Sequence, residues 1–291
     1  MSNSVWSAVR RAYASGVLDM GYPFAGSVRY VGTGAPIGVT KYNTIQEMLN
    51  AAVSRDLCII GPNPDGYDEA VTLAAGADNL TIVGMGNRGA VAIAPAAANA
   101  KALTINGDGA TRINDLTLIN IGLEGNGTGG GLHVKGNIRR IRAYGCKFEG
   151  GAFAAKLEST ANGSVGDTIL DDVELAWATD ALLIDVSGAG NPVTQTRLKN
   201  SLLHNYSSRG VRVVNAFSAD LWITKNIFAR QEDGTQPTNE YIKADFAGTT
   251  GFVAENSFAT PTNAIGKLAI AAGVIWGPNG TEAGWSSARP A

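Results

Sequence analysis

The sequence predicts an all-β fold of the solenoid type, in which the chain winds into stacked coils. Three observations carry this expectation. The first is a repeated frame. Ile223-Thr224-Lys225-Asn226-Ile227-Phe228 reads apolar, two polar residues, Asn, any residue, apolar. The frame recurs as Val253…Asn256…Phe258, Leu198…Ser201…Leu203, Leu170…Val173…Leu175, Ile141…Tyr144…Cys146 and Ile113…Leu116…Leu118. From 113 to 253 its first positions step by 28, 29, 28, 25 and 30 residues; a fixed period of roughly 20–50 residues marks a repeat architecture. The second observation is a further strand-like triplet after each frame: Leu132-His133-Val134, Ala155-Lys156-Leu157, Leu182-Leu183-Ile184, Val211-Arg212-Val213, Tyr241-Ile242-Lys243 and Leu268-Ala269-Ile270, with Leu103-Thr104-Ile105 before the first. The third is the 37 glycines in 291 residues, against an average of about 7%. They lie with Asn and Asp between the triplets, where turns require them.

The elements follow in order. Ser2 or Ser4 caps a short helix carrying Val5, Trp6, Val9 and Tyr13, closed by Gly16. A Gly/Pro-punctuated stretch follows, with one short strand, Val28-Arg29-Tyr30-Val31. Residues 1–40 lack the frame and read as an arm for attachment or oligomerisation. Its aromatics, Trp6, Tyr13, Tyr22 and Phe24, need a surface to cover them, and interfaces favour aromatic side chains. Thr44 and Glu47 form a capping box. Ile45, Met48, Leu49 and Ala52 then recur at helical spacing, predicting an amphipathic helix over 45–54. A solenoid exposes its core at each end, and this helix is placed to lid one of them. Leu57-Cys58-Ile59-Ile60 reads as a strand, stopped by Gly61-Pro62. Gly84-Met85-Gly86-Asn87-Arg88-Gly89 matches a dinucleotide fingerprint. The strand-like Ala90–Pro95 stretch follows where that fingerprint needs a helix, so the glycines read as a tight corner. About seven coils then fill residues 41–275, with 276–291 as a tail; at about 4.8 Å per coil the body is a rod of roughly 35 Å.

The frame predicts one inward column of Leu118, Cys146, Leu175, Leu203, Phe228 and Phe258, beside a stack of the Asn226 and Asn256 amides. It predicts an outward charge ladder of Asn114, Arg142, Asp171, Lys199 and Thr224. His133 and His204 read as surface histidines. Cys58 and Cys146, in strand-like apolar runs, read as reduced core thiols. The net charge of −2 argues against a nucleic-acid partner. No apolar run reaches the roughly 18 residues of a membrane span, and no h-region follows Arg10 and Arg11. No metal or cofactor motif stands out.

The frame, the helix at 44–55 and the following Ile59-Ile60-Gly61-Pro62 resemble the right-handed parallel β-helix superfamily that includes pectate lyases and phage tailspikes. The resemblance covers residues 41–275 and implies a right-handed single-stranded parallel β-helix with an N-terminal capping α-helix. The short arm before a capped β-helix is most similar to phage virion spikes and decoration proteins. This implies a non-enzymatic virion protein, assembled in the host cytoplasm as a homotrimer alongside other virion proteins, that contacts host-surface polysaccharide. The alternative is a polysaccharide depolymerase, for which Asp171, Asp172 and Glu174 would be the catalytic carboxylates; Glu149, Asp180 and Asp185 lie nearby. A hydrolase of this kind needs two carboxylates about 5–9.5 Å apart, and nothing in the spacing brings them together over a groove. For glycan binding, Phe148 and Trp177 lie 29 residues apart and would stack on neighbouring coils, inward or, if the strand bends, outward as a sugar platform. Tyr206 and Arg209 would flank it.

Overall fold

The computed structural model describes residues 26–35, 39–74, 76, 78–86, 88–108, 111–187, 191–214, 219–229, 240–259, 268–281 and 284–286. It is a parallel β-helix. Each coil visits three sheets, as in Val165–Asp171, Glu174–Ala176 and Asp180–Asp185, then Val193–Lys199, Leu202–His204 and Arg209–Val214. The first sheet has 11 strands, the second 9 and the third 8. Seven coils, from the one opening at Thr81 to the one opening at Thr249, place a strand in every sheet. An eighth at the N-terminal end, Leu57–Ala74, touches the second sheet only through the bridge between Tyr67 and Ile93. Among the described strands the only antiparallel pairing joins Asn279–Thr281 to Gly284–Ser286 at the C-terminal end.

Two internal columns run along the rod. In the first sheet Leu118, Ala143, Leu170, Leu198, Ile223 and Val253 stand in register. In the second sheet the column is Leu123, Phe148, Leu175, Leu203, Phe228 and Phe258. The expected column therefore holds from Leu175 onward but is corrected in the first two coils. Leu118 lies in the first sheet, and Cys146 at a corner one position before Lys147. Phe228 and Phe258 stack with centroids 4.8 Å apart; burying a side chain of this size contributes about 1.5–3 kcal/mol.

The corner between the first two sheets explains the Asn positions. Asn120, Gly145, Asp172, Asn200, Lys225 and Glu255 stack there with φ between 52° and 59°, the left-handed region that turns a strand in one residue. The next residue points inward, and from Asn226 on it is asparagine. The Asn256 Oδ1 accepts from the Asn226 backbone N–H at 3.0 Å and from its Nδ2 at 2.9 Å. The Asn279 Oδ1 accepts from the Asn256 N–H and Nδ2, both at 3.0 Å. These amides are 0–2% exposed, so the expected stack is present and satisfies groups that water cannot reach.

The lid is a helix over Ile45–Ala51, shorter than expected because Ala52 already has extended backbone. The Thr44 hydroxyl accepts from the Glu47 N–H at 3.0 Å. The Glu69 carboxylate accepts from the first two helical N–H groups, at Ile45 (2.8 Å) and Gln46 (3.0 Å). Ile45, Met48 and Leu49 are buried against the end of the core. Val28–Val31 pairs in parallel with both Leu57–Ile60 and Thr40–Tyr42, so the end of the expected arm is part of the first sheet. The short helix near the N-terminus and Trp6, Tyr13, Tyr22 and Phe24 lie outside the described residues. After Gly84–Gly89 comes the strand Val91–Ile93, which gives the glycines the corner role expected of them.

On the outer face of the first sheet, Asp171 and Lys199 pair at 2.9 Å. Arg142 is not in that ladder: its neighbours in register are Thr117 and Ile169, and it reaches Asp115 at 3.7 Å. Cys58 and Cys146 are free and buried, and burial pushes both thiols up to about 12. No described helix is long and apolar enough to cross a membrane.

Candidate functional site

Asp171, Asp172 and Glu174, the carboxylates of the alternative depolymerase reading, do not converge. Asp171 ends a first-sheet strand and is held by Lys199 at 2.9 Å and Asn200 Nδ2 at 2.8 Å. Asp172 occupies the corner and pairs with Arg88. Glu174 opens a second-sheet strand and pairs with His204 at 3.1 Å and Lys147 at 3.8 Å. The corner turns the three toward different faces, each with its own cation.

The expected sugar platform is also dismantled, except for one ring. Phe148 and Tyr206 are 0% and 1% exposed. Phe148 lies between Leu123 and Leu175 in the second-sheet column, and Tyr206 packs edge-on to Tyr241 at 6.2 Å. Neither can present a face to a ligand. Arg209 belongs to the third sheet, held by Glu240 at 2.9 Å and near Asp180 at 3.9 Å. Trp177 is 50% exposed.

The position of Trp177 is unusual for its residue type. At the corner from the second to the third sheet, the residues following the registered pairs are Gly150, Trp177 and Asn205, with φ of 85°, 54° and 53°. Glycine and asparagine accept this left-handed conformation; a bulky aromatic residue held there costs roughly 1–3 kcal/mol. Gly150 has no alternative, since a Cβ there would lie 2.2 Å from the Gly125 carbonyl oxygen. Burial does not compensate Trp177, because half its surface stays in solvent. What the backbone achieves is to place the indole at a recess of about 270 Å³ lined with Glu124, Lys147, Glu149 and Gly150.

The recess carries a defined charge pattern. Lys147 Nζ lies 2.7 Å from Glu149 Oε2 and 3.8 Å from Glu174 Oε1. Burial works against the Lys147 ammonium, but Glu149, Glu174 and Glu124 outweigh it and raise its pKa. Asn205 Nδ2 donates to His204 Nδ1 at 3.0 Å, which leaves His204 Nε2–H to donate to Glu174 at 3.1 Å. Glu124 is exposed and forms no ion pair among the described residues. An exposed ring face beside a free acceptor and a set of paired charges suits a neutral polar ligand with one apolar face.

A second set of charges went unread in the sequence. It covers the outer face of the third sheet, where His133, Lys156, Leu183, Arg212 and Lys243 are successive in register. The middle residue of the triplets from Leu132 to Val213, and the last of Tyr241-Ile242-Lys243, was the available signal. His133 faces out as expected but is only 6% exposed, and this corrects its reading as a surface histidine. Its Nε2 lies 2.7 Å from Glu158, and burial lowers its pKa. Lys156 bridges Glu158 at 2.8 Å and Asp185 at 3.0 Å. The hydrogen bond from His133, with Lys156, brings Glu158 down to about 2. Asp180 meets Arg212 at 3.1 Å; burial raises its pKa in spite of that cation. The cations of this column pair with carboxylates of other outward positions, Glu158, Asp185 and Asp180, so the face is a self-paired clamp across coils. The described residues contain no cluster of His, Cys, Asp and Glu arranged for a metal ion.

No family model and no curated protein matches the chain. Among solved structures it is similar to a pectin methylesterase from carrot, at 13% identity, with 90% of this chain and 85% of that chain covered and a TM-score of 0.57. A deglycosylated pectin methylesterase from Aspergillus niger aligns at 13% identity, 90% and 86% coverage and a TM-score of 0.49. The ORF18 protein of Geobacillus virus E2 aligns at 10% identity, 97% and 63% coverage and a TM-score of 0.45. With the three-sheet parallel topology, the likeness to the carrot protein shows a right-handed parallel β-helix fold.

Proposed function

We propose that the protein is a non-enzymatic component of a phage virion, a β-helical spike or decoration, that attaches through its N-terminal region and binds host-surface glycan on the second-sheet side of the rod. The observation that carries the binding half is Trp177: a half-exposed indole held in a left-handed backbone at a polar recess. Sugars stack their C–H faces on such rings and donate hydroxyls to nearby carboxylates. The attachment half rests on residues 1–25, which precede the first strand and carry Trp6, Tyr13, Tyr22 and Phe24. Attachment as a homotrimer is part of the same proposal.

The test has two arms. Deleting residues 1–25, which spares the strand at Val28–Val31, should leave a folded rod that no longer joins its oligomer or particle, read by sizing and co-sedimentation. Wild-type protein incubated with bacterial polysaccharides should bind without releasing reducing ends or unsaturated uronate. A depolymerase reading has one observation in its favour: burial raises the pKa of Asp180, the direction in which a general acid is tuned. Turnover abolished by Asp180→Asn would replace the binding reading with that one.

A further inference from the structure

We infer that the Trp177 recess selects an uncharged sugar unit and rejects acidic ones; the inference rests on the glycan-binding reading above. Three features lead to it. The recess, about 270 Å³, falls just below the size of drug-sized ligand pockets, which span about 300–1,000 Å³. It therefore takes one unit of a longer chain, and that unit alone is read. Second, the recess has one cation, Lys147, and Lys147 is already engaged by Glu149 at 2.7 Å and Glu174 at 3.8 Å. An incoming carboxylate or sulfate would have to compete with two fixed anions for it. Third, Glu124 is exposed and without an ion-pair partner among the described residues. An ionised carboxylate only accepts hydrogen bonds, so it takes sugar hydroxyls and repels a second anion brought near it.

The assignment is therefore specific: the indole of Trp177 takes the C–H face of a neutral pyranose, and the exposed Glu124 accepts its hydroxyls. Glycans built of uronate or sulfated units are excluded at this position. The charge pattern, more than the ring, sets the selection, because an aromatic platform alone does not distinguish neutral from acidic sugars.

The experiment is isothermal titration and saturation-transfer NMR on the full chain. The probes are hexasaccharides: neutral gluco-, manno- and galacto-hexaoses against hexagalacturonate and hexamannuronate. At least one neutral hexamer should bind, at an affinity independent of salt between 50 mM and 500 mM. Trp177→Ala should weaken it tenfold or more with an unchanged sizing profile. Glu124→Gln should weaken the neutral hexamer a fewfold and strengthen the acidic ones. Trp177-dependent binding of an acidic hexamer as tight as the neutral ones would overturn the charge selection and leave the glycan-binding reading in place. Binding of none of the hexamers would overturn both. An altered oligomer in Trp177→Ala would overturn the assignment of the ring to sugar.

Discussion

Asn256→Ala tests the corner ladder that holds the C-terminal coils together. Asn256 is 0% exposed. Its Oδ1 accepts from the Asn226 N–H at 3.0 Å and the Asn226 Nδ2 at 2.9 Å, and its own Nδ2 donates to the Ile223 carbonyl at 2.8 Å. Truncation leaves one backbone N–H and one amide hydrogen of Asn226 without acceptors in a dry site, and the Ile223 carbonyl without this donor. Each buried group left unsatisfied costs about 1–3 kcal/mol. Some relaxation and water entry will recover part, so the expected loss is about 3–5 kcal/mol. Lys199→Ala is the comparison. It removes a partly exposed pair with Asp171, and ion pairs open to solvent are worth about 0–1 kcal/mol. Urea titration followed by far-UV circular dichroism, at fixed protein concentration, gives both differences. A loss below about 1 kcal/mol for Asn256→Ala would show that the ladder's hydrogen bonds are replaceable by water, and the account of the corner would fail.

Further expectations follow from the same geometry. Trp177→Gly should raise the unfolding midpoint, because it releases left-handed strain of roughly 1–3 kcal/mol and gives up only a half-exposed ring; a fall in the midpoint would refute the strain. Acid should weaken the third-sheet clamp. Glu158 has a folded pKa of about 2, below its unfolded value of roughly 4.3. Its contribution is thus complete above the unfolded value and lost as pH falls toward 2. Stability at pH 2.5 relative to pH 6 should drop more in wild type than in Glu158→Gln, by on the order of 2 kcal/mol. The native thiols Cys58 and Cys146 should not react with a disulfide reagent at pH 8, since both are buried and held near 12; in denaturant both should label at once.

The period, the third-sheet strand, the lid helix and the Asn stack were legible in the sequence because each is a local pattern repeated in register; that the frame spans a corner between two strands was not. The phase of the first two coils was not, and the reason is physical. In the coils opening at Ile113, Ile138, Val165 and Val193 the 0, +3, +5 spacing of inward residues arises twice, each time around a left-handed residue. Ile113, Leu116 and Leu118 bracket Asp115 (φ 55°) inside a first-sheet strand; Leu170, Val173 and Leu175 bracket Asp172 (φ 54°) at the corner. A bulge and a corner thus look alike in sequence. The true internal step runs 25, 27, 28, 25 and 30 in both columns, from Leu118 to Val253 and from Leu123 to Phe258. The recess was half legible. Trp177 stood out as an aromatic, but the same phase error paired it with Phe148, which is core. Glu124 and Lys147 became its neighbours only once Phe148 was set beside Leu175 and Gly150 beside Trp177.

The corner ladder has a direction. The Ser201 N–H is satisfied by Asn226, that of Asn226 by Asn256, and that of Asn256 by Asn279, so each coil is completed by the one that follows it in the chain. A ribosome delivers these coils in the same order. Every nascent corner therefore waits, with a bare amide at the growing end, for a residue about 25 positions further on. The last acceptor, Asn279, closes the series beside the antiparallel turn that ends the described chain. Shortening this protein from its C-terminal end uncovers a polar face at whichever coil becomes last, whereas shortening it from the front leaves the remaining backbone amides of the ladder paired and removes only the carbonyl that the first remaining Asn Nδ2 donates to.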